Sequence, residues 1–402
     1  MKVILANKSA YPFFQYGGIE KYIYYLSKHV LRQGIDVEIV SSLPSSGKKN
    51  VVHDGILYTF LPPYLDWKLP YSALSILRLS IFSLNLARYL RKQDFDVLHS
   101  FITVPYFYLR LHRRRPVVFQ PFEEIYEYKA LLEKPKDAMW PVKRSLIHYV
   151  KKHVDKYCMK HANAIASEGE FQTEVFAEFF GIDRIKVFNL PVGIDIESID
   201  KTLKQTKLSR QDLHLASSDI VLISVNRFEA NKGISYLVEA FKLLKEKTKN
   251  AKLVLVGTGS EEEKIKGQII DSNLQDSVVH LKEVQEDSLF AYYDLSDIYV
   301  SPTLDTGSIM SVIEGMACRL PVVSTGQESA VKSGINGFVV PKADPEKMAQ
   351  AILNICESGK SKEFGATSRQ IAQEYDFRAI ARTAIKKYEE VVEQPDLNKA
   401  NK

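Results

Sequence analysis

Residues 297–323 read DIYVSPTLDTGSIMSVIEGMACRLPVV, and the fold class follows from their pattern. The run Ile298–Ser301 is short, continuously apolar and β-branched, which predicts a strand covered on both faces. A loop with Gly307 follows, then a helix from about Ser308 to Cys318, then another short apolar strand, Val322–Ser324. Amide groups at that helix start can cradle an anionic or hydroxyl-rich ligand. Glu314 lies two turns further on, on the same side as Met310 and Ser311. A single glutamate on a helix is ordinarily solvated. Among Ile313, Met316 and Ala317, however, this carboxylate needs a partner.

The same alternation extends in both directions. Upstream come strand Ile220–Val225, helix Ile234–Lys247, strand Leu253–Val256, helix Glu261–Ile270, strand Val278–Leu281 and helix Ser288–Tyr293. A polar stretch from Asp195 to Asp219 separates this series from an earlier one. That earlier series has strands at Val3–Ala6, Val37–Val40, Val97–His99, Val117–Phe119, Ala164–Ser167 and Ile185–Phe188, with an amphipathic helix over about Ile19 to Gln33 capped by Gly34. Strands alternating with helices predict a doubly wound parallel sheet, here twice. At 402 residues the chain has room for two such domains. No residue-level repeat between the halves is evident. A helix near Pro345–Glu357 precedes a last one from about Arg378 to Val392, and Lys399–Lys402 reads as a frayed tail.

Composition is that of a soluble globular protein, 45% hydrophobic and 26% charged. Cys158, Cys318 and Cys356 have no paired or metal-ligand spacing, which predicts free thiols in a reducing cytoplasm. The apolar stretch Leu69–Leu90 is interrupted by Arg78 and Arg88 and is too short to span a bilayer. Charge is uneven. Residues 1–190 carry 27 Lys+Arg against 18 Asp+Glu, net +9, while the rest carries 27 against 31, net −4. A basic first half suggests an anionic partner. Helix Val142 to His161 concentrates six of those cations beside a stripe of Leu146, Val150, Val154, Tyr157 and Cys158. Such a helix most often covers a core; with the Arg113–Arg115 run it also suits an anionic membrane surface.

Several loops carry chemistry. Gly17-Gly18 sits between the first strand and the first helix, where backbone can approach a ligand closely. Arg227 and Lys232 occupy the loop after strand Ile220–Val225, at the carboxyl end where open parallel sheets bind ligands, and two cations there suit a diphosphate. Most such pairs are simply solvated. Gly257-Thr258-Gly259 lacks the third glycine of a dinucleotide fingerprint, because Glu262 stands there. Gly359-Lys360-Ser361 has neither the leading glycine nor the preceding strand of a P-loop. Asp94-Phe95-Asp96 reads as the start of strand Val97–His99 rather than a metal-binding pair, and the nine histidines have no zinc spacing.

Taken in order, these segments resemble glycosyltransferase family 4. The resemblance rests on Gly17-Gly18-Ile19-Glu20, Asp96-Val97-Leu98-His99, Pro191-Val192-Gly193-Ile194-Asp195, the Arg227 to Lys232-Gly233 spacing, Leu253 to Gly259, Asp297 to Pro302, Glu314-Gly315-Met316-Ala317 with Pro321-Val322-Val323, and Tyr375-Asp376-Phe377-Arg378. It implies an α/β chain of GT-B fold, two doubly wound Rossmann-like domains facing across a cleft. Residues 1–192 would bind the acceptor and 193–375 the nucleotide sugar, with 376–402 crossing back to the first domain. It implies retaining transfer of a hexose-like sugar from a UDP- or GDP-sugar to a glycan or lipid-linked acceptor, without metal or other cofactor, by a cytoplasmic protein able to sit at the cytoplasmic membrane face, with no role for nucleic acid. Arg227 and Lys232 would neutralise the leaving diphosphate, and Glu314 would hold the ribose. Gly17, Gly18, Gly257, Asp305, Thr306, Gly307, Ser308 and Ile309 complete the donor set. Two positions depart from the family pattern. Thr306 replaces the sugar-binding glutamate, and Phe122 replaces a sugar-contacting histidine. Asp305 and Glu124 are the substitutes nearby, with Phe122 and Glu124 on the acceptor side. The alternative is a nucleotide-sugar-binding subunit with weak or no activity.

Overall fold

The computed structural model spans residues 1–402 and describes all except 15–17, 45–46, 48, 65–72, 112, 123–141, 206–207, 305–308, 327–329 and 395–402. The chain forms two compact units. One is Met1–Gly193 together with the segment from Phe377 onward, the other Ile194–Asp376. The closing helix thus belongs to the first unit.

The first unit runs β1 (Lys2–Ala6), α1 (Gly18–Arg32), β2 (Asp36–Leu43), β3 (Asn50–His53), β4 (Ile56–Tyr64), α2 (Ala73–Leu90), β5 (Val97–Phe101), α3 (Tyr106–Leu111), β6 (Val117–Gln120), α4 (Val142–His161), β7 (Ala164–Ser167), α5 (Glu170–Phe180) and β8 (Val187–Asn189). Its sheet has the order β3-β4-β2-β1-β5-β6-β7-β8, and every pair is parallel except β3 with β4. Period-two alternation splits β1 between two cores. Val3 and Leu5 pack with α1 and the closing helix, and Ile4 and Ala6 pack with α2, α3 and α4. Both faces of the central strands are covered, so those strands have no polar alternation, whereas the edge strand β3 alternates.

The second unit runs α6 (Ile196–Gln205), β9 (Ile220–Val225), α7 (Ile234–Lys247), β10 (Ala251–Val256), α8 (Glu262–Asp271), β11 (Val278–Leu281), α9 (Glu286–Asp294), β12 (Ile298–Ser301), α10 (Met310–Ala317), β13 (Val322–Ser324), β14 (Gly337–Val339), α11 (Pro345–Ser358) and α12 (Ser361–Ala372); α13 (Phe377–Glu393) then returns to the first unit. The second sheet is parallel throughout, in the order β11-β10-β9-β12-β13-β14. Gly359 is the left-handed cap that ends α11, φ +67°, and not part of a phosphate loop.

In each sheet the chain winds outward from one central strand and then restarts on its other side. The switch lies between β1 and β5 in the first unit and between β9 and β12 in the second. The same device pins both switches. Asp96, just before β5, accepts from the Lys2 amide at 2.8 Å, and Asp297, just before β12, accepts from the Val221 amide at 2.8 Å. Arg210 Nη2 also donates to both carboxylate oxygens of Asp297, at 2.9 Å each. A structural correspondence between the halves therefore exists that residue similarity does not reveal. Asp96 stands at the entry to its strand, where the sequence placed it, and the structure adds the bond that anchors it to β1.

Candidate active site at the switch point of the second sheet

Ligands of open parallel sheets bind outside the carboxyl ends of the strands at the switch point. In the second unit that place is made by the loop after β9, residues 226–233, and the loop that begins at Pro302 after β12. The two are locked together by backbone. The Leu304 amide donates to the Asn231 carbonyl at 2.9 Å, and a Cβ on Gly233 would stand 2.1 Å from the Pro302 carbonyl oxygen. Gly233 has φ +66° and leads directly into α7, so both its conformation and its neighbour demand glycine.

The cationic loop is held from its other side as well. The Asn226 amide bonds Val256 at 3.0 Å and the Phe228 amide bonds Thr258 at 2.9 Å. Phe228 is buried and stacks on His280 at 4.8 Å, whose Nε2 bonds the Gly257 carbonyl. Gly257 has φ +132°, and a Cβ there would lie 1.9 Å from the Asn226 carbonyl oxygen. The residue assigned to donor binding thus has a packing reason to be glycine: it lets the β10 loop lie against the cationic loop.

Arg227 is exposed, while Lys232 is only 9% exposed at the end of a short 3-10 turn. Between them Glu229 turns aside to Ser260, whose hydroxyl donates to its carboxylate. The Ser260 hydroxyl and then its amide hold the Glu229 carboxyl below the usual carboxylate range, and Arg227 adds to the shift. The one acid inside the cationic loop is therefore engaged by hydrogen bonds. Ser260 was not picked out from the sequence, since a separation of 31 residues leaves no pattern to read.

Glu314 stands on α10, half-buried, and the partner expected for it is Tyr293, whose phenol donates to Oε2 at 3.0 Å. Ile309 is the residue before α10, and its carbonyl accepts from the Ile313 amide at 3.0 Å. Arg227, Lys232, Gly257, Ile309 and Glu314 thus belong to one unit, on the loops and helix after β9, β10 and β12. Asp305, Thr306, Gly307 and Ser308 lie outside the described residues.

The description "Glycosyl transferases group 1" matches residues 205–371, and "Glycosyltransferase Family 4" matches residues 16–198, so the two together span most of the chain. The chain belongs to the family 4, group 1 glycosyltransferases. A D-inositol 3-phosphate glycosyltransferase of Pseudarthrobacter chlorophenolicus is 23% identical over 393 residues, 94% of this chain and 91% of that one. The chain spans about half the length of the first curated relatives it matches, 52%, 41% and 44%. Sucrose-phosphate synthase from Thermosynechococcus elongatus superposes with a TM-score of 0.77 at 19% identity, over 97% of this chain and 98% of that one. Anabaena HepE, solved in complex with UDP and glucose, superposes with a TM-score of 0.70 at 17% identity, covering 97% and 100%. At such identities the likeness concerns the fold, and the fold of this glycosyltransferase is GT-B.

In the first unit of the glycosyltransferase, Gly18 is the first residue of α1, and a Cβ there meets nothing within 4 Å. Gly17 and Glu124 are outside the described residues. Phe122 is 4% exposed and packed edge-on to Tyr22 and stacked on Phe101. Its side chain fills the core, where the sequence had offered it to an acceptor. In the basic helix α4, Cys158 is buried as expected, but Val150, assigned to the covered stripe, is 44% exposed beside Tyr149 at 61%. Among the described residues no helix is long and apolar enough to cross a membrane.

Proposed function

We propose that this glycosyltransferase moves a sugar from a nucleotide-diphosphate sugar to a glycan or lipid-linked acceptor with retention of configuration. The observation that carries the reading is the joining of the Arg227/Lys232 loop to the loop after β12 at the switch point, with Glu314 on the helix beyond. Fixed cations at a parallel sheet's carboxyl end suit a diphosphate, and a carboxylate nearby suits ribose hydroxyls. In the transfer, the bond from the sugar's anomeric carbon to the phosphate oxygen breaks as the acceptor oxygen bonds to that carbon from the same face. The acceptor's proton passes to the departing phosphate oxygen. Arg227 and Lys232 stabilise the charge on the diphosphate, which asks for no metal and no side-chain base. HepE's complex with UDP and glucose supports a nucleotide-sugar donor.

The test has two arms. Purified protein is incubated with a panel of nucleotide sugars, and nucleoside diphosphate release is followed by mass spectrometry. By calorimetry, Arg227→Ala is expected to weaken nucleoside diphosphate binding by about 1–3 kcal/mol, the range for lost hydrogen bonds to charged groups. Glu314→Gln is expected to weaken the nucleotide while sparing inorganic pyrophosphate. Unchanged affinity in Arg227→Ala removes the arginine from the site.

A further inference from the structure

Two tyrosines brace the exposed side of α10 from beneath. Tyr293 ends α9 and Tyr299 lies in β12, and both rings are fully buried, 5.8 Å apart. The Tyr299 hydroxyl donates to Ser311 Oγ at 2.8 Å. The Tyr293 hydroxyl reaches two acceptors, the Glu314 carboxylate at 3.0 Å and the Ser311 carbonyl at 3.3 Å. A glutamate with three free torsions on a half-exposed helix face samples many rotamers, and fixing it costs entropy each time a ligand binds. A buried phenol removes that freedom in advance by holding one oxygen. A carboxylate can accept from more than one donor, so a bond from the phenol is compatible with bonds from a ligand. Burial, and then the Glu314 charge, push the Tyr293 phenol well above its ordinary range, so it remains a donor across the working pH.

We propose that Tyr293 is a positioning residue for nucleoside recognition, its hydroxyl orienting the Glu314 carboxylate toward the two ribose hydroxyls. This rests on the reading of Glu314 as the ribose carboxylate. Specificity for a cis-diol depends on a carboxylate presented at one angle, and outer hydrogen bonds of this kind set such angles in many sites. Tyr293 was not selected from the sequence because it stands 21 residues from Glu314, on a different helix.

UDP, GDP and ADP are titrated into the wild-type protein, and the tightest is carried into four variants alongside inorganic pyrophosphate. Tyr293→Phe keeps the ring and removes only the hydroxyl. It is expected to weaken the nucleotide roughly tenfold with pyrophosphate unchanged, as for the loss of one hydrogen bond to a charged group. In a Glu314→Gln background, Tyr293→Phe should cost little more, because coupled residues are not additive. Tyr299→Phe, which removes only the hydroxyl that donates to Ser311 Oγ, should leave both affinities near wild type. If Tyr293→Phe binds nucleotide normally while Glu314→Gln does not, the positioning role is overturned and the ribose reading stands. If neither variant weakens the nucleotide, the ribose reading falls and takes the positioning role with it. Additive losses in the double variant, or an equal loss in Tyr299→Phe, would reduce Tyr293 to general packing of α10. Should Tyr293→Phe not fold, the Tyr299→Phe and Glu314→Gln pair still decides whether the loss follows the carboxylate or the helix.

Discussion

Gly257 illustrates how a residue's type is set by what stands next to its backbone. In the sequence the pair Gly257 and Gly259 after an apolar strand invites a phosphate-binding reading. In the structure both Cβ positions are occupied by the cationic loop: the Asn226 carbonyl oxygen lies 1.9 Å from one, and the Phe228 carbonyl oxygen 2.4 Å from the other. A side chain at 257 would meet two penalties together, a φ of +132° that L residues rarely adopt and a steric clash with backbone that cannot swing away. Gly257→Ala is therefore expected to destabilise the second unit by about 2–4 kcal/mol, summing strain and overpacking. It should also loosen nucleotide binding, since the Arg227 loop must shift to make room. Urea unfolding gives the first effect and calorimetry the second. A variant as stable as wild type would mean that the two loops are not in contact in solution. Lys232, by contrast, shows a limit of sequence reading: its place was legible from the loop's position, but its burial was not, because burial depends on the partner loop after β12.

At the scale of the element, α13 is tied to the first sheet by a buried polar contact within a largely apolar seam. His99 on β5 is fully buried, stacks on Phe101 at 4.4 Å, and shares a hydrogen bond of 2.6 Å between Nδ1 and the Tyr388 hydroxyl of α13. Burial drives the ring's pKa down from 6.5 to about 3. The folded ring stays neutral while the unfolded one takes up a proton below about 6.5, so the fold keeps its full stability above that pH. It loses stability as pH falls toward 3, by up to about 1.4 kcal/mol per pH unit. His99→Gln retains a hydrogen-bonding group without a titrating ring, and its stability should fall less steeply than wild type between pH 6 and 4 in urea unfolding. Parallel curves for the two proteins would show that His99 does not titrate between states. Most strands of both sheets were legible because covered parallel strands are continuous apolar runs; β3, β4 and the short edge strand β14 were not. The β3–β4 hairpin was missed, although Asp54-Gly55, both at positive φ, is the usual two-residue turn between antiparallel strands. Helices α6 and α12 were missed for another reason: they are short and polar on average, and α6 buries only Ile196 and Ile199, so they read as part of the surrounding polar stretches.

At the scale of the whole molecule, the basic first half acquires a definite surface. Helix α2 packs on α3, and α3 packs on α4. These three neighbours expose Leu77 and Ile81 from α2, Leu111 at the end of α3, and Tyr149 and Val150 from α4, each at least 41% exposed. Cations stand among and beside them: Arg110, Arg114, Arg115 and Lys160 are exposed, and Lys152 lies 3.9 Å over the Phe179 ring. Exposed apolar side chains on helices that also carry exposed cations suit the boundary of an anionic bilayer, where a lipid-linked acceptor would also lie. Residues 1–190, net +9, should therefore bring the protein to vesicles containing phosphatidylglycerol and not to neutral ones. Binding should weaken as salt rises, because exposed charges are screened within about 10 Å at 0.1 M. The two components separate by substitution. Arg110→Glu with Arg114→Glu should lower binding most at low salt, by about 1 kcal/mol for each lost cation and more for each reversal. Leu77→Ser with Ile81→Ser should lower it at every salt concentration, since burial of apolar area is not screened. Vesicle sedimentation reads both. If the wild-type protein stays in solution beside anionic vesicles at low salt, the lipid-linked acceptor is excluded as the reason for this surface, and a soluble glycan becomes the acceptor to pursue.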